Sequence, residues 1–218
     1  KSHLHLATAS LLAEMSQQAT GNDTLFRAVH HVASAIEAIE PLPQRRMFRE
    51  LSLLAAQRAK RTGDSLSALG YLRTARALAD KNAPDDHQLT FTLDLEEAEC
   101  EFLLGNLATA ARLCAQLAGR PGGLAEKAVA ACLLAEIHMR QSHRQQALET
   151  AIAWLSVFGI SLSRYPDVRE CDDAHEAIVA RVGDDPAAVF KALPRMDDRD
   201  TEAVMNLLAS AGIFASFC

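Results

Sequence analysis

An all-α fold built of helix hairpins follows from three features of the sequence. Apolar residues make up 49% of the 218 positions while aromatics make up only 5%, and Ala and Leu, two of the strongest helix formers, dominate the apolar set. Ten Gly and seven Pro are too few for the turn density of a β meander and for a disordered chain. Finally, apolar positions recur three and four apart in runs of helical length, broken by short punctuation of Gly, Pro and Asp. A chain of this length buries a core without disulfide or metal staples.

The elements follow in order. Leu4, Ala7, Leu11 and Met15 form one apolar stripe, and Asp23 is placed to cap a second helix with the stripe Phe26, Val29, Ala33 and Ile36. Pro41-Leu42-Pro43 opens a third helix that runs to Gly63, and Asp64 caps a fourth that ends near Asp80. A fifth helix starts at Pro84-Asp85-Asp86 and stops at Gly105, and a sixth spans Leu107 to about Ala118. After Pro121-Gly122-Gly123 come a seventh helix ending near Gln141 and an eighth ending near Phe158. Shorter helices are expected near 167–182, 186–192 and 198–217.

Three of these hairpins share a register. Aligning Gly63, Gly105 and Ser142 places Ala56, Ala98 and Ala135 seven residues before the turn and Ala68, Ala110 and Ala147 five residues after it, with Ala75 a further small position. Small residues on both sides of a tight turn are what two closely packed helices of a tetratricopeptide hairpin require. Gly70, inside the fourth helix, suggests another close approach. The expected architecture is all-α: tetratricopeptide-like stacked hairpins over 1–160, forming a short superhelix, with a helical C-terminal extension over 161–218 packed on the array as a cap. The first three residues, Lys1-Ser2-His3, and the apolar end at Gly212–Cys218 read as those of a piece of a longer protein.

The segment from Arg45-Arg46-Met47-Phe48 to Arg58-Ala59-Lys60, followed by Ala68-Leu69-Gly70-Tyr71-Leu72, is distinctive. So are Ala98-Glu99-Cys100-Glu101-Phe102-Leu103-Leu104-Gly105, Phe158-Gly159-Ile160-Ser161-Leu162 and Leu193-Pro194-Arg195-Met196-Asp197-Asp198. Together these stretches resemble the tetratricopeptide-like helical repeat region of large bacterial signalling proteins, in which a kinase-like domain, an AAA/STAND-type ATPase, this region and a sensor histidine kinase follow one another. The resemblance implies a regulatory segment. The family's nucleotide-binding and phosphotransfer motifs lie outside it, so the resemblance assigns no catalytic residue here.

Composition and motifs narrow the chemistry. A net charge of −6 argues against a dedicated nucleic-acid binder, which needs surplus Lys and Arg. Apolar runs such as Ala128–Leu134 are far shorter than the about 20 residues that span a bilayer, and no signal-peptide pattern opens the chain. Cys100, Cys114, Cys132, Cys171 and Cys218 are odd in number and scattered, which fits reduced thiols in the cytoplasm. Gly122-Gly123 lacks the Lys-Ser/Thr of a phosphate loop. The pairs His3 with His5, His138 with His143 and Cys132 with His138 lack metal-ligand spacing, and Glu96-Glu97 and Asp172-Asp173 read as solvated faces. No cofactor, metal or catalytic residue is expected.

One helix carries Arg45, Arg46, Arg49, Arg58, Lys60 and Arg61 with only Glu50 to offset them, a face that either solvates or docks an acidic partner. In a tetratricopeptide array the first helix of each pair lines the concave groove, which would place Gln57, Lys60, Arg61, Glu99, Phe102, Glu136, Met139 and Arg140 there as a protein-binding set. The expected function is therefore a non-catalytic scaffold binding a protein partner or a neighbouring domain of the same chain, with no nucleic acid and no membrane. The alternative is a small-molecule inducer-sensing repeat domain of a STAND-type transcription regulator.

Overall fold

A computed structural model describes residues 2–18, 22–40, 42–79, 87–120, 123–183 and 185–217, and every regular element among them is helical. In order these are α1 (Ser2–Gln18), α2 (Asn22–Ala33), a 3-10 turn at Ile36–Ala38, α3 (Leu42–Arg61), α4 (Ser65–Ala77), α5 (His87–Leu103) and α6 (Leu107–Ala118). They continue with α7 (Leu124–Arg140), α8 (Arg144–Val157), α9 (Val168–Val182), α10 (Pro186–Ala192) and α11 (Arg199–Ala215). The expected breaks at Pro41, Pro84-Asp85-Asp86 and Pro121-Gly122, and Cys218 with them, fall outside the described residues.

Two compact units divide at Arg120 and Pro121, whereas the sequence suggests a boundary at 160/161. The reason lies in the core of the second unit. Leu207, Ala211 and Phe214 of α11 pack against Ala135 of α7 and Ala147, Leu148, Ala151 and Leu155 of α8, so α11 and the third hairpin bury one another, whereas α9 and α10 bury no residue and do not form the packed cap expected over 161–218. In the first unit α1 packs on α2, α3 on α4 and α5 on α6, while α2 also meets α3 and α4, and α5 meets α3 and α4.

The three aligned turns have the same backbone geometry. Gly63, Gly105 and Ser142 take φ of 86°, 82° and 62°, the left-handed conformation that ends a helix in a Schellman motif. At each turn that residue's N–H bonds the carbonyl three back, Lys60, Phe102 or Met139, at 3.0 Å. The next N–H bonds the carbonyl five back: Asp64 to Ala59 at 3.0 Å, Asn106 to Glu101 at 2.9 Å and His143 to His138 at 2.8 Å. Asp64, Asn106 and His143 are at once the N-caps of the following helices, and their carbonyls accept the N–H of Ala68, Ala110 and Ala147. Each turn thus closes one helix and opens the next within three residues. The six flanking alanines are all at most 1% exposed.

Three local expectations are corrected. Leu4, Leu11 and Met15 face outward, Leu4 being 73% exposed, and α1 instead buries Ala9, Leu12 and Ala13. Leucines surround α1 on several sides, so periodicity alone does not select its inner face. In α2 the buried set is Leu25, Ala28, Val29 and Val32, with Ala33 exposed and Ile36 already in the 3-10 turn. Gly70 is exposed, and a Cβ built on it meets nothing within 4 Å, so it marks no close approach.

Candidate interaction surface

The last two turns of α3 carry Gln57, Arg58, Lys60 and Arg61, and α5 presents Glu96 and Glu99 to them. Gln57 Nε2 donates to Glu96 Oε1 at 2.9 Å. Lys60 Nζ donates to both Glu96 and Glu99. Burial pulls the Lys60 pKa down, but the hydrogen bonds and charges of the two glutamates outweigh it and leave the ammonium more firmly protonated than usual. The side chains of Lys60 and Glu96 are only 17% and 12% exposed. This is an electrostatic clamp between adjacent hairpins, in which two carboxylates share one cation.

The clamp changes the meaning of the basic helix. Arg45 donates to the carbonyls of Ile39 at 2.9 Å, Leu78 at 3.3 Å and Ala77 at 3.2 Å, holding the end of α4 to the start of α3. Arg46 pairs with Glu50 at 3.1 Å, and Arg49 donates to Thr90 at 2.9 Å. Arg58 donates to Asn22 Oδ1 at 3.2 Å. Arg61 is exposed beside an open cleft of about 350 Å³ lined by Asn22, Arg58, Arg61 and Thr62. Much of the six-residue basic cluster therefore holds helices together, and Arg58 and Arg61 face the cleft.

Glu96-Glu97 is not a solvated pair. While Glu96 belongs to the clamp, Glu97 pairs with Arg76 of α4, and Arg76 and Arg120 both engage Asp94, which is 3% exposed. A buried carboxylate needs such partners, because desolvation without them costs several kcal/mol.

Of the eight groove residues read from the sequence, Gln57, Lys60 and Glu99 come together in the first unit, joined by Glu96, which that set omits. Phe102, one turn beyond Glu99, is half-buried. In the second unit Glu136, Met139 and Arg140 share a face of α7 at i, i+3 and i+4. Glu136 and Arg140 are exposed, whereas Met139 packs against the core of Ala147, Leu155 and Phe214. Glu96 was legible as one of a carboxylate pair; its role depends on Lys60 lying thirty-six residues away in sequence and one hairpin away in space.

The described cysteines are unpaired. Burial pushes the Cys100 and Cys132 thiols up to about 11 and Cys114 to about 12, which makes them poor nucleophiles. Among the described residues no helix is long and apolar enough to cross a membrane.

No family model, no curated protein and no solved structure matches this chain.

Proposed function

We propose that this chain is a non-catalytic regulatory and scaffolding module of a multidomain bacterial signal-transduction protein, whose tetratricopeptide-like hairpins form a short superhelix that binds protein in the cytoplasm. The partner is a neighbouring domain of the same polypeptide or a separate protein; neither nucleic acid nor membrane is part of this reading. The observation that carries it is the hairpin turn made three times over, with the same left-handed residue, the same two carbonyl acceptors and a buried alanine on each side. Within the first unit, α2 reaching α4 and α3 reaching α5 supports stacking of neighbouring hairpins, the arrangement by which repeat arrays share a core and present a face for recognition. Affinity purification of the intact parent protein's domains against this chain tests it. Binding at micromolar or tighter affinity is expected, and no interaction with any of them contradicts it.

A second reading rests on the cleft at Arg58 and Arg61. Its volume of about 350 Å³ lies at the lower end of small-molecule sites, which suits an anionic inducer bound by a sensor domain of a STAND-type transcription regulator. A thermal-shift screen of anionic metabolites separates the two readings, because a ligand specific for the folded state raises Tm by linkage.

A further inference from the structure

His5 has no metal-ligand partner nearby in sequence, and folding supplies one. The α1–α2 hairpin brings its Nδ1 to 2.8 Å from Nδ1 of His31, twenty-six residues on, with the ring centroids 5.1 Å apart and the planes inclined by 34°. Both side chains are half-buried. Two imidazole nitrogens that face each other at this distance hold at most one proton between them, so one lone pair is always directed at its neighbour.

We propose that His5 and His31 form a bis-imidazole site for a divalent, nitrogen-preferring metal ion of the Zn²⁺, Ni²⁺ or Cu²⁺ class, tying α1 to α2. A tetrahedral ion with metal–nitrogen bonds of 2.0–2.1 Å spans about 3.3 Å between two donors. The two nitrogens must therefore separate by about 0.5 Å and both rings must turn so that their lone pairs meet at the ion rather than at each other, an adjustment made by χ rotations. Imidazole is the borderline ligand that this class of metal selects over Mg²⁺ and Ca²⁺.

The surroundings favour the neutral form of His31. Burial first, then the proximity of His5, His30 and Arg27, lowers the His31 pKa. Arg27 itself, one turn before His31, is paired with Asp23 at 3.8 Å. His30 is exposed beside the site, its ring 6.2 Å from that of His31. Among the described residues no group of three His, Cys, Asp or Glu gathers, so this ion keeps two positions for water or for a donor from outside the hairpin.

The test is a Zn²⁺ titration of the whole chain at pH 7.5, followed through the imidazole nitrogen signals of all histidines by NMR. The expected result is one saturable step near one equivalent that moves the Nδ1 signals of His5 and His31 together. In His5→Ala the midpoint for the His31 signal should weaken at least tenfold, and His31→Gln should do the same to His5. Far-UV circular dichroism confirms that each variant is folded, and if one is not, the other carries the comparison. Saturation confined to His3 or to His138 and His143, an unchanged His31 midpoint in His5→Ala, or no saturable step below 1 mM Zn²⁺ overturns the proposal.

Discussion

Lys60 on α3 donates its ammonium to Glu99 on α5, and Glu96 one turn earlier shares the same cation. Two residues that the sequence assigns to a free binding face are thus partners of each other across the seam between two hairpins. Replacing Lys60 with Met leaves two half-buried carboxylates close together without their cation. The expected loss is about 2 kcal/mol, the scale of hydrogen bonds to charged groups, and Lys60→Met with Glu96→Gln should recover part of it. Urea denaturation of the single and double variants measures the coupling.

Ala110 sits in the packed seam between α5 and α6 and is 0% exposed. Ala110→Leu should cost roughly 1–3 kcal/mol, because extra methylenes cannot enter a closely packed helix contact without strain. An unchanged urea midpoint would remove the claim that this position is sterically closed.

Two substitutions should stabilise. Gly70 is an exposed, helix-interior glycine with open space at its Cβ position, so Gly70→Ala should add about 0.5–1 kcal/mol through helix propensity and a less mobile unfolded chain. Ser142 holds φ at 62° where its two counterparts are glycines. A non-glycine residue there costs roughly 1 kcal/mol, and Ser142→Gly should raise Tm while Gly105→Ala lowers it.

Histidine protonation should weaken the fold. Burial, and then His143 nearby, lowers the His138 pKa against a smaller opposing effect from Gln141. The unfolded chain therefore binds this proton more readily than the native one. The contribution of His138 to stability is complete above the ordinary histidine value of about 6.5 and is lost as pH falls below it. Melting curves from pH 7.5 to pH 5.5 should drop more steeply for the wild type than for His138→Gln; equal slopes would contradict the assignment.

The sequence and structure agree most closely where chemistry is local. Asp64 is followed by Ser67 N–H at capping distance, and the glycines at 63 and 105 announce left-handed turns because few other residues adopt them. Serine at 142 was recognisable only through the register with those two. The inner face of α1 was not legible, since Leu4, Leu6, Leu11 and Leu12 offer hydrophobic groups in several directions and the choice falls to α2 and the 3-10 turn packed against it. The partners of the basic face are not legible in α3 for a different reason. Counting charges along α3 gives six cations and one acid, but Glu96, Glu99 and Thr90 arrive from α5 and leave Arg58 and Arg61 at the cleft.

If the proposed module binds protein through what remains of the basic face, its partner presents an acidic surface, and Arg61→Glu probes this without disturbing the clamp. Calorimetric titration of the chain with its binding domain, at 50 mM and 150 mM NaCl, reads this directly. The expected result is a several-fold loss of affinity in Arg61→Glu that is larger at the lower salt, where the screening length exceeds the about 8 Å of physiological buffer. Undiminished affinity of Arg61→Glu at 50 mM NaCl would contradict it.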